Sequence, residues 1–285
     1  MVEVVQAGGL YSAKRKIEFQ TAPMTYRMLL QSDVHIMSPN ARLDVVRDEL
    51  RKAKAMGARV NINGDLFDAI LPSDLKRYVP SAVDSPDDDL LDVAVKRAIE
   101  IYGPYADLID MVGMGNHEGS ALKHHSVNLS KRFVDEINRL GGKTWFGGYG
   151  GWITYSFYHE RRYGVFRLRY HHGAGGASPV TRGTIDFTRM SGWIEGADLV
   201  WMGHKHFQKV ERVCKEGLST SGVPTSRIET WVMTGGYLDQ TVGPISYATA
   251  KNMPHLPVGG AFVELTVRRN DTVGNTYKVE AQVIW

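Results

Sequence analysis

Five times along this chain a short apolar run stops at a cluster of aspartate, histidine, asparagine and glycine. The clusters are Asp33-Val34-His35, Gly64-Asp65 with Asp68, Gly115-Asn116-His117-Glu118, His171-His172-Gly173 and Gly203-His204-Lys205-His206. No other feature constrains the fold as much. Apolar runs of this length, bounded by such breaks, read as buried strands. If five buried strands end in polar side chains, one rim of a sheet can collect them all. Six of the ten histidines fall in these clusters, and imidazole, carboxylate and amide oxygen are donors suited to divalent ions, enough here for two.

The order of elements between the clusters sets the fold class. Tyr26 to Gln31 reads as a first buried strand. Leu43, Val46, Leu50 and Ala53 then recur at helical spacing, and Gly57 is a natural stop. Ala58 to Asn63 is a second strand, which implies a parallel crossover. A helix with Leu91, Val95, Ala98, Ile99 and Tyr102 on one face follows, its start favoured by the acidic patch of Asp84, Asp87, Asp88 and Asp89. Leu108 to Met114 is the third strand, and Leu129, Phe133, Ile137 and Leu140 mark a helix closed by Gly141-Gly142. After Gly147 the chain turns strand-rich: Trp152 to Tyr158, Tyr163 to Tyr170, Asp198 to Met202, Phe207 to Val213, Arg227 to Thr234, Ala261 to Val267 and Tyr277 to Ile284. Only Thr184 to Gly192 suggests a short helix among them. Residues 1 to 25 read as a terminal strand or arm. The expected fold is α/β, a four-layer α-β-β-α sandwich of two mixed sheets packed face to face with helices outside. We expect one domain over 1–285, with a lid or insertion at 71–89 and a loop insertion at 237–259.

Composition narrows the setting. A chain of 285 residues with 43% hydrophobic content can bury one sizeable core. A net charge of +3 from 34 basic and 31 acidic residues is not the concentrated field of a protein that coats nucleic acid. Cys214 stands alone, so no internal disulfide or thiolate-rich metal site can form. The first thirty residues lack a signal-peptide core, and no stretch approaches the roughly 18 apolar residues of a membrane span. The expectation is a soluble cytoplasmic protein with no membrane partner and an open oligomeric state.

The chemistry follows from donor types. Asp65 comes after Gly64, whose freedom lets the backbone turn sharply, and we assign its carboxylate to bridge two ions about 3.5–4 Å apart. Asn116 offers a neutral oxygen, and His204 and His206 alternate as on extended backbone, one for each ion. Two divalent ions bring four positive charges and Asp33 with Asp65 removes two, leaving a surplus that suits a phosphate ester. The mixed nitrogen and oxygen set suits transition metals, manganese first with iron, zinc and nickel also accommodated. His117, beside Asn116, has an ordinary pKa of ~6.5 and is proposed as general acid, a role typically worth ~10²–10⁴-fold. A bridging water of lowered pKa would be the nucleophile. His172, which precedes glycine, is favoured over His171 as ligand. Asp68 and Glu118 are candidates to orient ligating histidines. His124, with His125 at the start of a helix, and Arg182 and Arg189 are candidate substrate contacts, with a plain surface role as the alternative.

The whole set resembles the calcineurin-like metallophosphoesterases, with five motifs in family order from Asp33 to His206. The resemblance implies one ion on Asp33, His35, Asp65 and His206, another on Asp65, Asn116, His172 and His204, and a catalytic His117. It implies hydrolysis of phosphomonoesters or phosphodiesters, of small molecules or nucleic acid. Asp68 is followed by Ala69 and Ile70, where protein serine/threonine phosphatases carry an arginine. Gly64-Asp65-Leu66-Phe67-Asp68 is similar to the SbcD-type DNA nucleases, which makes a nuclease the alternative enzyme. The stretch from Tyr237 to Gly260 is similar to phage-encoded phosphoesterases, which would act in a host cytoplasm. A non-catalytic binding scaffold is the remaining alternative.

Overall fold

Alternation at period two builds the central sheet. In the strand 24–31, Leu29 faces a helix-covered core while Met28 and Leu30 face the other way. The structure, a computed structural model, describes residues 2–69, 90–239, 255–270 and 276–285. In chain order the elements are β1 (Val2–Ala7), β2 (Leu10–Glu18), β3 (Met24–Gln31), α1 (Leu43–Met56), β4 (Arg59–Ile62), α2 (Leu90–Tyr102), β5 (Ile109–Gly113), α3 (Asn116–His125) and α4 (Leu129–Arg139). They continue with β6 (Trp145–Gly148), β7 (Gly150–His159), β8 (Arg162–His171), α5 (Thr184–Ser191), β9 (Leu199–Met202), β10 (Lys209–Leu218), β11 (Pro224–Met233), β12 (Ala261–Arg269) and β13 (Tyr277–Ile284).

A six-stranded sheet runs β13-β12-β3-β4-β5-β6 and a seven-stranded sheet runs β1-β2-β7-β8-β9-β11-β10. Both are mixed. β3 to β6 pair in parallel with β12 and β13 antiparallel at one side, while β8, β9 and β11 are parallel within the other sheet. Leu30, Met111, Tyr155, Leu168, Trp201 and Leu265 belong to the apolar layer between the sheets. Outside the six-stranded sheet, Leu50 of α1, Ala98 of α2 and Phe133 of α4 pack on Val60 and Val112. Phe187 and Met190 of α5 cover Val200, Trp231 and Met233 on the outer face of the other sheet. The expected four-layer arrangement is the one found.

Local chemistry ends the helices where the chain must turn back. Gly57 adopts φ 63° at the C-terminus of α1. The Asn128 side chain accepts from Lys131 N at 2.9 Å to cap α4, a contact worth about 1 kcal/mol. Arg15 and Arg59 both reach the buried Asp110 carboxylate, with Nη1 of Arg15 at 2.6 Å and Nε of Arg59 at 2.8 Å, which links β2 to β4 and β5.

Three expectations need correction. Residues 2–18 are not a single arm but an antiparallel hairpin, β1 and β2, added to the seven-stranded sheet with β2 parallel to β7. The third cluster opens a helix, α3, and His124 and His125 lie in its last turn rather than at a helix start. β6 is a further strand, in a stretch where the sequence pattern predicts none. The segment 71–89, with its acidic patch, and residues 240–254 of the 237–259 loop lie outside the described residues. No helix among the described residues is long and apolar enough to cross a membrane.

Candidate metal centre

Five loops reach the same rim because each leaves the C-terminal end of a parallel-paired strand or the turn beside one. Asp33 and His35 follow β3, Asp65 follows β4, Asn116 and His117 follow β5, His172 follows β8, and His204 and His206 follow β9. The six-stranded sheet thus contributes the two aspartates, His35 and the asparagine, and the seven-stranded sheet contributes three histidines. Backbone bonds lace the loops together: Asp33 N donates to Gly64 O at 3.0 Å, His35 N to Asp65 O at 3.1 Å, and Gly203 N to His172 O at 3.0 Å.

Asp33, His35, Asp65, His204 and His206 all sit at positive φ, between 48° and 67°. Non-glycine residues there cost of order 1–3 kcal/mol each and persist where the surroundings dictate the conformation. The surroundings are tight. A Cβ at Gly115 would overlap Asp65 Oδ1, one at Gly203 would lie 2.6 Å from Asp33 Oδ2, and one at Gly236 would lie 2.6 Å from His206 Nδ1.

Among the described residues, two of the donor groups of metal-binding size adjoin, Asp33 with His35 and His206, and Asp33 with Asp65, His172 and His204. Asp33 is common to both, and Asp65, expected to bridge the ions, lies in the second. The physical reason is that Asp33 lies between the two histidines of the fifth cluster. Its Oδ2 accepts from His204 N at 2.8 Å and its Oδ1 is 3.3 Å from His206 Nε2. Asp65 Oδ1 instead accepts from His117 N at 2.9 Å, while Oδ2 is 3.1 Å from His172 Nε2.

The histidine tautomers follow from their other contacts. His172 Nδ1 donates to Asn63 O at 2.8 Å, which turns Nε2 toward Asp65 and toward Asn116 Oδ1 at 3.3 Å. His204 Nε2 donates to Gly175 O at 2.8 Å and leaves Nδ1 free. His35 is 3% exposed, yet among the described residues neither ring nitrogen has a hydrogen-bond partner, and Asp33 Oδ1 has none either. Leaving such groups unpaired is costly, and divalent cations fit these residues as partners.

Electrostatics agree with this crowding. Burial works to raise Asp33, but the His206 and His172 charges outweigh it and hold the carboxyl at about 2. Burial works to lower His172, and Asp65 with Asp33 drives it up to about 10. Asp68 and His117 form a pair beside the donor groups, Oδ1 to Nδ1 at 3.1 Å, and His35, Asp68 and His117 themselves make a third cluster. Burial pulls His117 down, and the Asp68 hydrogen bond with the charges of Asp65 and Asp68 more than reverses it.

Not every candidate arrives. Glu118 was expected to orient a histidine, but its carboxylate accepts from the backbone N–H groups of Asp65, Phe67 and Gly115 at 3.0, 3.0 and 2.9 Å. It acts as a clamp between two loops. His171 accepts from Gly173 N through Nδ1 at 2.9 Å and lies behind His172. His124 is exposed on α3, Arg182 is exposed and donates to Pro179 O of its own loop, and Arg189 is exposed on α5. Among the described residues none of the three hydrogen-bonds or ion-pairs with a donor. Two residues escape the sequence reading. Lys205, almost fully buried, donates to Gly176 O at 2.6 Å and so ties the 173–183 loop to the fifth cluster. Tyr149 stands beside α3, and its backbone oxygen accepts from His172 N at 2.9 Å. Its signal in the sequence is the run Gly147-Gly148-Tyr149-Gly150-Gly151.

No family model matches the chain, and no curated protein matches it. Among solved structures it is similar to an uncharacterized protein of Streptococcus pneumoniae TIGR4, described as a predicted phosphoesterase. That match has 14% identity and a TM-score of 0.34, covering 92% of this chain and 100% of that one. It is similar also to Vps29 of Chaetomium thermophilum, at 10% identity and TM-score 0.31 over 91% and 95% of the two chains. A hypothetical protein of Thermus thermophilus matches at 13% identity and TM-score 0.36 over 90% and 98%. At these values the likeness carries no functional inference, which comes from the donor geometry.

Proposed function

We propose that this chain is a calcineurin-like metallophosphoesterase that hydrolyses phosphate esters at a two-ion centre. The observation that carries the reading is the pair of adjoining donor groups that meet at Asp33, with neither nitrogen of the buried His35 hydrogen-bonded among the described residues. Asp33, His35, Asp65 and His206 would hold one ion and Asp65, Asn116, His172 and His204 the other, with manganese, iron, zinc or nickel suited to such donors. When bound, two such ions supply Lewis acidity toward phosphoryl oxygens and lower the pKa of water toward neutrality.

The protein's own groups do the rest. Asp33 and Asp65 cancel only half of the charge that two divalent ions bring, so the rim attracts a phosphate ester. Asp68 Oδ1 stands 3.1 Å from His117 Nδ1 and favours the doubly protonated imidazolium, whose Nε2–H can be handed to the departing alkoxide. Glu118 and the glycines at 64, 115 and 203 hold the donor loops at contact distance, so the site needs little reorganisation when substrate enters.

The test is a metal-by-substrate panel. Metal-stripped protein reloaded with each of the four ions is assayed on p-nitrophenyl phosphate and bis(p-nitrophenyl) phosphate, beside Asp33→Asn. Metal-dependent turnover that Asp33→Asn abolishes is expected. Failure to turn over either ester with every ion overturns the proposal.

A further inference from the structure

Tyr149 belongs to no donor group, yet close contacts at the glycines around it set its place beside the site. The residue is 41% exposed. Around it the chain has dispensed with side chains: a Cβ at Gly147 would lie 2.7 Å from Met111 Sδ, one at Gly150 would lie 2.8 Å from His171 Cδ2, and one at Gly151 would lie 2.6 Å from the Tyr170 hydroxyl. Gly148 turns the chain at φ 58°. On the other side the Tyr149 hydroxyl occupies the space where a Cβ of Gly119 would stand. Gly119 lies inside α3, a position where glycine is unfavourable relative to alanine, and there it is the residue that admits the ring.

The ring is also placed beside the donor loops. Its backbone oxygen receives the N–H of His172, and Gly119 follows Asn116 by one helical turn, so the phenol stands beside the Asn116–His172 side of the centre. Burial opposes ionisation of the hydroxyl, and so do the nearby charges of Asp65 and Glu118. A half-exposed aromatic face beside a cationic phosphate pocket is suited to the organic part of an ester rather than to its phosphorus.

We propose that Tyr149 is a substrate-contact residue, a preorganised platform on which a flat ring of the substrate stacks, so that the preferred esters carry a nucleobase or an aryl group. The inference rests on the phosphoesterase reading and deepens it. Stacking is tolerant of which ring is offered, so selectivity is for ring-bearing over ring-free esters and not for one base.

The experiment compares metal-loaded wild type, Tyr149→Ala, Tyr149→Phe and Gly119→Ala on two ring-bearing esters, adenosine 5′-monophosphate and bis(p-nitrophenyl) phosphate. The ring-free counterparts are glycerol 2-phosphate and glycerophosphoglycerol. Tyr149→Ala is expected to lower the ratio of kcat/KM for ring-bearing over ring-free esters roughly tenfold, the size of one lost stack, mainly through KM. Tyr149→Phe should keep the wild-type ratio. Gly119→Ala should lower it without touching the tyrosine itself, which keeps the test decisive if Tyr149→Ala fails to fold. Equal losses on both classes in Tyr149→Ala and Gly119→Ala, or an unchanged ratio, overturn the role of Tyr149. Wild type that hydrolyses only ring-free esters overturns it too and leaves the phosphoesterase reading standing. Wild type inactive on all four with every ion overturns that reading itself and this inference with it.

Discussion

Asp68 is expected to act on catalysis only through His117. Replacing His117 with asparagine should slow turnover by ~10²–10⁴-fold, and more for esters with poor leaving groups than for activated aryl esters. Asp68→Asn should cost less, roughly 10–100-fold, as for a group that orients another. The two can be told apart by pH. Burial lowers the His117 pKa, and the Asp68 contact with nearby carboxylate charges raises it above 6.5 overall. Without Asp68 the proton leaves at lower pH, so the alkaline limb of kcat should move toward acid. An unmoved limb would mean that Asp68 does not tune His117.

At the level of elements, Glu118 is the clamp whose removal should be felt most. It satisfies three buried backbone N–H groups from the loop after β4 and the start of α3, and each left bare costs about 1–3 kcal/mol. Glu118→Ala should therefore destabilise the protein by about 3 kcal/mol or more in urea melts. Gly203→Ala is a contrast: its Cβ would press on Ser32 and Asp33, so metal affinity should fall at least roughly tenfold by competition with a chelator while far-UV dichroism stays native. Much of the framework was legible because its residues alternate or repeat cleanly, as Met28-Leu29-Leu30 do in β3 and Phe133 and Ile137 do in α4. β1 and β2 were not, because they lie at a sheet edge with most side chains exposed and carry no buried stripe. α3 buries only Glu118 and Ala121, too little for a helical period to show. In the site, donor types could be read from the clusters, but left-handed backbone at Asp33, His35 and Asp65 could not. Nothing in an aspartate or histidine announces that conformation; the packing imposes it. The place of Asp33 between two histidines is likewise a product of three-dimensional crossing, invisible to spacing along the chain.

Across the whole molecule, the metal-free rim should make stability depend on pH from both sides. Asp33 ionises at about 2 when folded against 3.8 for the free group, so its contribution is present above 3.8 and is lost as pH falls through about 2. His172, raised to about 10 from 6.5, contributes below 6.5 and loses that contribution as pH rises toward about 10. Metal must displace the His172 proton, so affinity climbs with pH, and the difference in Tm between manganese-loaded and chelated protein should widen between roughly pH 6 and 8. A constant difference would count against coordination through His172. The donors also come from opposite layers of the sandwich, Asp33, His35, Asp65 and Asn116 from one and His172, His204 and His206 from the other. A cation gripped by both would act as a stitch along one lip, so prising the layers apart there would have to break coordination first, while the far lip would part like any oily seam. Pulled by force, the loaded protein should tear asymmetrically, and the stripped protein should lose that bias.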